Sequence, residues 1–171
     1  MTSQNQPTDI IPIPSIGVGG LLFNKHQQVL LIKRNQPPAK GLWSLPGGRL
    51  EPGETLVAAC RREYSEETNL DINVKHIVAL VERKLEGFHY VIIDYFVELV
   101  DEEKYTPIAQ SDVADAKWIN LNELAHYDIV EGLLDIIIRT YSSHANGDLA
   151  GLHNIKPASS DYVFPDPSIR I

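Results

Sequence analysis

The chain has 171 residues, 43% of them apolar and 22% charged, and a formal net charge of -8. That size suits one domain with a substantial core. The acidic balance, without a dense Lys/Arg cluster, argues against a nucleic-acid groove, and no stretch approaches the roughly 20 apolar residues of a membrane span.

Cys60 is the only cysteine, so there is neither a disulfide framework nor a cysteine-based zinc site, which fits a cytoplasmic location. The polar start MTSQNQPTDIIPIPS lacks the charged and then apolar order of a secretory signal. With Pro7, Pro12 and Pro14, residues 1–14 read as a loosely attached arm.

Ser15–Phe23 is small and apolar, with Gly17, Gly19 and Gly20 allowing close backbone approach. After a polar turn, Val29–Ile32 reads as a buried strand, and the two segments together read as a hairpin. Asn35–Gly41 is a Pro-Pro loop. Leu42–Leu45 is a short apolar piece, broken by Pro46-Gly47-Gly48. Thr55 is placed to cap a helix over Thr55–Thr68, with Leu56, Ala59, Cys60 and Tyr64 on its apolar face and Asn69 as a left-handed C-cap.

Leu70–Val81 alternates as a strand through Ile72, Val74, His76, Val78 and Leu80. Glu82–His89, charged around Gly87, reads as a loop or hairpin turn, and Tyr90–Val100 as the strongest strand of the chain. A polar loop, Asp101–Ser111, leads to a short strand at Asp115–Ile119 and a helix start at Asn120. Val130–Tyr141 is an amphipathic helix with Leu133, Leu134, Ile137 and Ile138 at helical spacing. Residues 142–171, rich in Ser, Asn, Asp, Gly and Pro, read as a surface extension. The order implies a domain over residues 15–141 with helices packed on a mixed sheet.

The chemistry concentrates at Gly48–Leu70. Glu63, Glu66 and Glu67 stand at i, i+3 and i+4, so a helix puts them on one face. Like charges at this spacing cost about 0.2–0.5 kcal/mol per pair. Such a cluster is most often a solvated helix face, but a chain that keeps three such acids together reads as holding a cation, here divalent metal beside a phosphate-bearing substrate.

Residues 48–70 resemble the Nudix box, G-x5-E-x7-R-E-U-x-E-E-x-G-U. Gly48, Glu54, Arg62, Glu63, Glu66, Glu67 and Leu70 match it. Tyr64 replaces a usual aliphatic residue and Asn69 the second glycine. The resemblance extends over about Ile13–Tyr141. GLWSLPGG, HYVIIDYF and SDVADAKW look like the ADP-ribose pyrophosphatase-like branch. It implies an α+β fold, the Nudix-type α/β/α sandwich with a mixed β-sheet between helices, and a possible homodimer.

It also implies Mg2+, with Mn2+ possible, on Gly48, Glu63, Glu66 and Glu67. Arg62 and Glu54 would orient those carboxylates. The general base would be a box glutamate, Glu66 or Glu67, or Asp112 on the loop before Trp118, with Asp115 as second choice there. Arg34 either reaches a phosphate or is a plain surface charge, and Arg83 is a weaker case of the same kind. Trp43 either stacks on a base or packs in the core. The reaction implied is hydrolysis of the diphosphate bond in a nucleoside diphosphate linked to another group, such as ADP-ribose or a nucleotide sugar. Nucleoside triphosphate cleanup and a Nudix-fold sensor that binds without cleaving are the alternatives.

Overall fold

A computed structural model describes residues 12–111, 113–146, 152–154 and 160–165. In chain order these form β1 (Ser15–Leu21), β2 (Gln28–Arg34), β3 (Trp43–Ser44), β4 (Gly47–Arg49), α1 (Leu56–Thr68), β5 (Ile72–Leu85), β6 (Phe88–Leu99) and β7 (Val113–Asn120). A 3₁₀ turn (Leu121–His126), α2 (Leu133–Asn146), β8 (His153–Asn154) and β9 (Tyr162–Val163) follow.

The class is α+β, as expected, but the strands form two sheets rather than one. The larger has the order β4-β1-β6-β5-β9-β8, and the smaller the order β3-β2-β7. In the larger sheet β1 and β6 run parallel and the other pairs antiparallel. The expected hairpin of the first two strands does not form. Both edges of β1 are taken, by β4 and β6, so β2 has no free ladder to join. The chain turns back just past β1, through the Phe23–Val29 bridge and the bonds from Asn24 N–H to the Gln28 carbonyl and from Leu30 N–H to the Leu22 carbonyl.

Of the two readings of Glu82–His89, the hairpin turn around Gly87 holds and the loop does not, because most of the segment is strand. β5 continues to Leu85 and turns through Glu86 (φ 52°) and Gly87 (φ 79°) straight into β6, the two positive φ values of a tight hairpin turn. The charges stay in the strand because each finds a partner: Glu82 meets His89 at 2.6 Å, and Arg83 meets Asp161 at 2.7 Å. The simple alternation expected along β5 breaks at register shifts on both sides of Ile77. A bulge of this kind inserts an unpaired residue. Val78 and Ala79 are thus both buried, while Ile77 is exposed.

In α2 the buried stripe is Leu133, Ile136, Ile137 and Thr140, an i, i+3, i+4, i+7 set. Leu134 and Ile138, expected inside, lie 40% and 41% exposed. The helix runs on to Asn146, past the expected end at residue 141. Within the extension, β9 pairs with Ala79 and Leu80 of β5, and Phe164 is buried.

The larger sheet lies between two layers. On one face α1 packs Ala59, Cys60 and Tyr64 against Val18, Ile93, Tyr95 and Val97. On the other, Leu21, Val81 and Phe96 meet Leu31 and Ile119 of the small sheet and Leu133 and Ile137 of α2.

Tyr64, the bulky replacement in the box, is fully buried. Gly20 makes room for it, since a Cβ there would come within 2.8 Å of the ring. Among the described residues its hydroxyl has no hydrogen-bond partner. A buried polar group without a partner costs about 1–3 kcal/mol. Tyr64→Phe is therefore expected to raise stability by about 1 kcal/mol, read from the urea midpoint at unchanged slope.

Candidate active site

The site is assembled where β4 passes under the end of α1. Thr55 caps the helix, its hydroxyl accepting from the Ala58 N–H at 3.1 Å. Asn69 closes it in the left-handed region (φ 58°, ψ 28°), as its tolerance of positive φ predicts. The cap and the close approach of β4 together fix which helix face looks onto the Gly47–Gly48 turn.

Arg62 is the hub. Its Nε and one terminal nitrogen bond both Glu54 oxygens at 2.9 Å. The other terminal nitrogen bonds Glu63 Oε1 at 2.8 Å and reaches Glu66 Oε2 at 3.5 Å. The Arg49 carbonyl accepts from Arg62 at 3.1 Å. One planar fork thus joins loop, strand and helix. The Arg62 contact holds the Glu54 carboxyl below its ordinary value.

Two backbone approaches complete the site. Gly47 N–H donates to Glu67 Oε2 at 2.8 Å, and Glu67 is only 6% exposed. A Cβ on Gly48 would overlap the Glu63 carboxylate, so only glycine lets that carboxylate lie against the backbone. Glu66 is the open member, with its side chain 52% exposed. No three acidic, histidine or cysteine side chains among the described residues converge as a ready-made metal cage. The donors are nonetheless the hard oxygens that Mg2+ prefers, and a cation that keeps several waters needs only one or two of them directly.

A shallow hollow lined by Ile32, Arg34, Asn35, Gln36, Glu67 and Val113 brings Arg34 to the same place as Glu67. Arg34 Nε itself bonds the Pro38 carbonyl at 2.7 Å. Trp43 does not join the site as an open stacking surface. It is 7% exposed, edge-on to Tyr127 at 5.4 Å, with Lys117 over its ring. Arg83 is engaged by Asp161 and lines a separate hollow of about 320 Å³ with Asp135, Arg139 and Asp161. Asp112 lies outside the described residues. Asp115 pairs with Lys117 at 2.7 Å on β7. The loop before β7 is laced to the end of α1 by bonds from Ile108 and Gln110 N–H to the Thr68 and Glu67 carbonyls. The Trp118 indole pins it further, donating to the Tyr105 carbonyl at 2.6 Å. Cys60 is buried and its thiol is pushed up to about 12, mainly by that burial, which suits packing rather than nucleophilic attack.

One acid was missed from sequence. Asp94 interrupts the apolar run of β6, is 6% exposed, and lies over Gly19 of β1. The signal available was an Asp in YVIIDYFVEL opposite a glycine-rich strand. Burial pushes its carboxyl up to about 7, against the opposing charge of Arg83. A raised folded-state pKa means the native state holds more protons than the unfolded chain between about pH 4 and 7. This group's stabilisation is present below that window and is lost as pH rises through it. Urea unfolding from pH 4 to 8 is expected to show Asp94→Asn gaining on the native chain by a few kcal/mol as pH rises through 7.

Residues 14–139 match the family model for the NUDIX domain. The chain is 35% identical over 114 residues to an ADP-ribose pyrophosphatase of Methanocaldococcus jannaschii, covering 65% of this chain and 64% of that one. It spans 64%, 32% and 23% of the length of three curated relatives that it matches. The fold matches a MutT protein from Methanosarcina mazei Go1 with TM-score 0.67 and 23% identity, over 78% of this chain and 96% of that one. It also matches the NUDIX domain of Shewanella oneidensis NrtR, solved with ADP ribose, with TM-score 0.64 and 24% identity, over 84% and 99% of the two chains. The Arg62-centred carboxylates thus stand on a matching fold and within a matched domain, and the chain belongs to the Nudix family.

Proposed function

We propose that this chain is a divalent-metal-dependent hydrolase of a nucleoside diphosphate linked to another group, with ADP-ribose or a nucleotide sugar as its substrate class. The observation that carries the reading is the carboxylate face of α1, held by Arg62 on one side and by the Gly47–Gly48 backbone on the other. The ADP-ribose preference is supported by the similarity to the M. jannaschii ADP-ribose pyrophosphatase.

In this reading Glu63 and Glu67 hold Mg2+ or Mn2+ with Glu66 and the Gly48 backbone beside them. The bound metal supplies charge neutralisation of the diphosphate and a lower pKa for water. Arg62 and Glu54 keep Glu63 from swinging away. Glu66, the most open of the three, would accept a proton from the attacking water, and Asp112, which precedes β7 in the sequence, is the other candidate base. Water's oxygen bonds to one phosphorus, the bridging P–O bond breaks, and two monophosphates leave. Arg34, on the hollow shared with Glu67, contributes positive charge beside the phosphates.

Incubation with Mg2+ or Mn2+ and a panel of ADP-ribose, nucleotide sugars, dinucleoside polyphosphates and nucleoside triphosphates tests this directly. Cleavage of a diphosphate-linked substrate is expected, with Glu67→Gln slower by at least about 100-fold. No hydrolysis with either metal, or full activity in Glu67→Gln, would sink the reading. Tight binding of intact ligands would favour the non-cleaving sensor. Arg62→Ala is expected to cut kcat by about 10–100-fold, since removing a group that orients metal ligands has that effect.

A further inference from the structure

The hollow beside Arg83 stands apart from the carboxylates of α1. It holds about 320 Å³, at the small end of the range for ligand sites. Arg83, Asp161 and Val163 line it from β5 and the β9 segment, and Gly132, Asp135, Ile136 and Arg139 from the start of α2. It shares no lining residue with the hollow beside Glu67. Arg83 is on the same face of β5 as Val81, which packs toward α2, so this hollow lies on the face opposite α1. β5 is three strands from β4, about 14 Å across the sheet.

Two ion pairs shape the wall. Arg83 Nη1 donates to both Asp161 oxygens, at 2.7 and 2.9 Å, and to the Glu82 carbonyl at 2.8 Å. Arg139 Nε donates to Asp135 Oδ2 at 2.7 Å, and its Nη1 to the Phe164 carbonyl at 3.3 Å. Two unlike groups are left over. Among the described residues Arg83 Nε and Nη2 make no hydrogen bond, although that side chain is only 22% exposed. Asp135 Oδ1 makes none either. The two are close. A Cβ on Gly132 would sit 2.8 Å from Arg83 Nη2, and Asp135 stands three residues further on, one helical turn away, where such positions are about 5–6 Å apart.

The Nε–Nη2 edge of a guanidinium is the fork that takes a carboxylate with two parallel bonds. An aspartate oxygen one turn away accepts from an ammonium. The two arginines and two aspartates of the wall sum to no net charge, so a phosphate dianion would meet two carboxylates without a surplus of positive charge. A zwitterion meets no such mismatch, and Ile136 and Val163 offer an apolar wall to an aliphatic or aromatic group. We propose that this hollow binds a free α-amino acid with an apolar side chain, its carboxylate on Arg83 Nε and Nη2 and its ammonium at Asp135 Oδ1. Asp161 and Arg139 are positioning residues here, holding Arg83 and Asp135 in place by the bonds given above. The site is separate from the carboxylates of α1 and does not rest on the hydrolytic reading.

The probes are leucine, valine and phenylalanine, each beside its amide, which lacks the carboxylate, and its deaminated acid, which lacks the ammonium, with inorganic phosphate as a further arm. Calorimetric titration of the full chain is expected to show at least one amino acid binding at least about tenfold more tightly than both its counterparts, since a hydrogen bond to a charged group contributes about 1.5–3 kcal/mol. Asp135→Asn should bring that amino acid and its deaminated acid to equal affinity, and Glu67→Gln should leave the binding unchanged. Arg83→Gln should abolish binding of both. Should Arg83→Gln fail to fold once Asp161 loses its partner, Asp135→Asn still decides, because that side chain is 47% exposed. The proposal is overturned if no amino acid is preferred over its counterparts, absence of any binding included. Phosphate binding more tightly than every amino acid overturns it too, as does an Asp135→Asn chain that keeps the preference. The titrations use neither metal nor nucleotide, so their outcome is independent of whether the chain hydrolyses a diphosphate.

Discussion

The arrangement depends on the guanidinium of Arg62. Three glutamates within five residues repel one another, and burial of Glu67 and partial burial of Glu63 raise the cost. Arg62 answers with one positive charge spread over a planar fork that reaches Glu54, Glu63, Glu66 and the Arg49 carbonyl at once. A lysine carries the same charge but cannot present donors in these fixed directions. The fork also works mechanically. Glu54 belongs to the turn before the helix and Arg49 to the strand before that, so one side chain ties three successive segments into a single rigid unit. Its energy is modest at a partly exposed site; its contribution is geometry, which decides where the carboxylates point.

The second constraint is close approach. A helix can lay acids against a sheet edge only if the sheet offers no side chains there. Gly48 lets Glu63 meet the backbone, and Gly47 offers an N–H to Glu67. On the same α1-facing side of the sheet, Gly20 gives Tyr64 its space. The glycine-rich start of the chain and the acid-rich helix are thus two halves of one fit, and neither makes sense alone. The box supplies the phosphate end. Of the loops outside the box, the one before β7 bonds the end of α1 through Ile108 and Gln110, and the Asn35–Gly41 loop meets the β5–β6 turn where Ala39 N–H bonds Glu86.

Local features were legible from the sequence because short-range physics sets them. Thr55 and Asn69 act as caps by their own side-chain and backbone preferences. The shared face of Glu63, Glu66 and Glu67 follows from helical spacing. The split into two sheets was not legible, because it depends on β1 having both edges occupied by strands far along the chain. The two bulges of β5 hide in a pattern that alternates well up to Ile77. In α2, Leu134 and Ile138 are as apolar as their buried neighbours, and only the direction of the sheet decides which stripe goes inside. β9 has two residues, too few for any periodicity to show. Trp43 was ambiguous for a related reason, since an aromatic ring carries the same apolar signal in a core as on a platform.

Asp94 shows a limit of another kind. A single acid in an apolar strand leaves no pattern, yet in the fold it is the more informative residue. The carboxylates of α1 are stabilised where they stand, by Arg62 and by the β4 backbone. For Asp94 only the charge of Arg83 acts against its burial, and its own sheet neighbours are glycine and alanine. Local consistency would place a valine there, as elsewhere in β6.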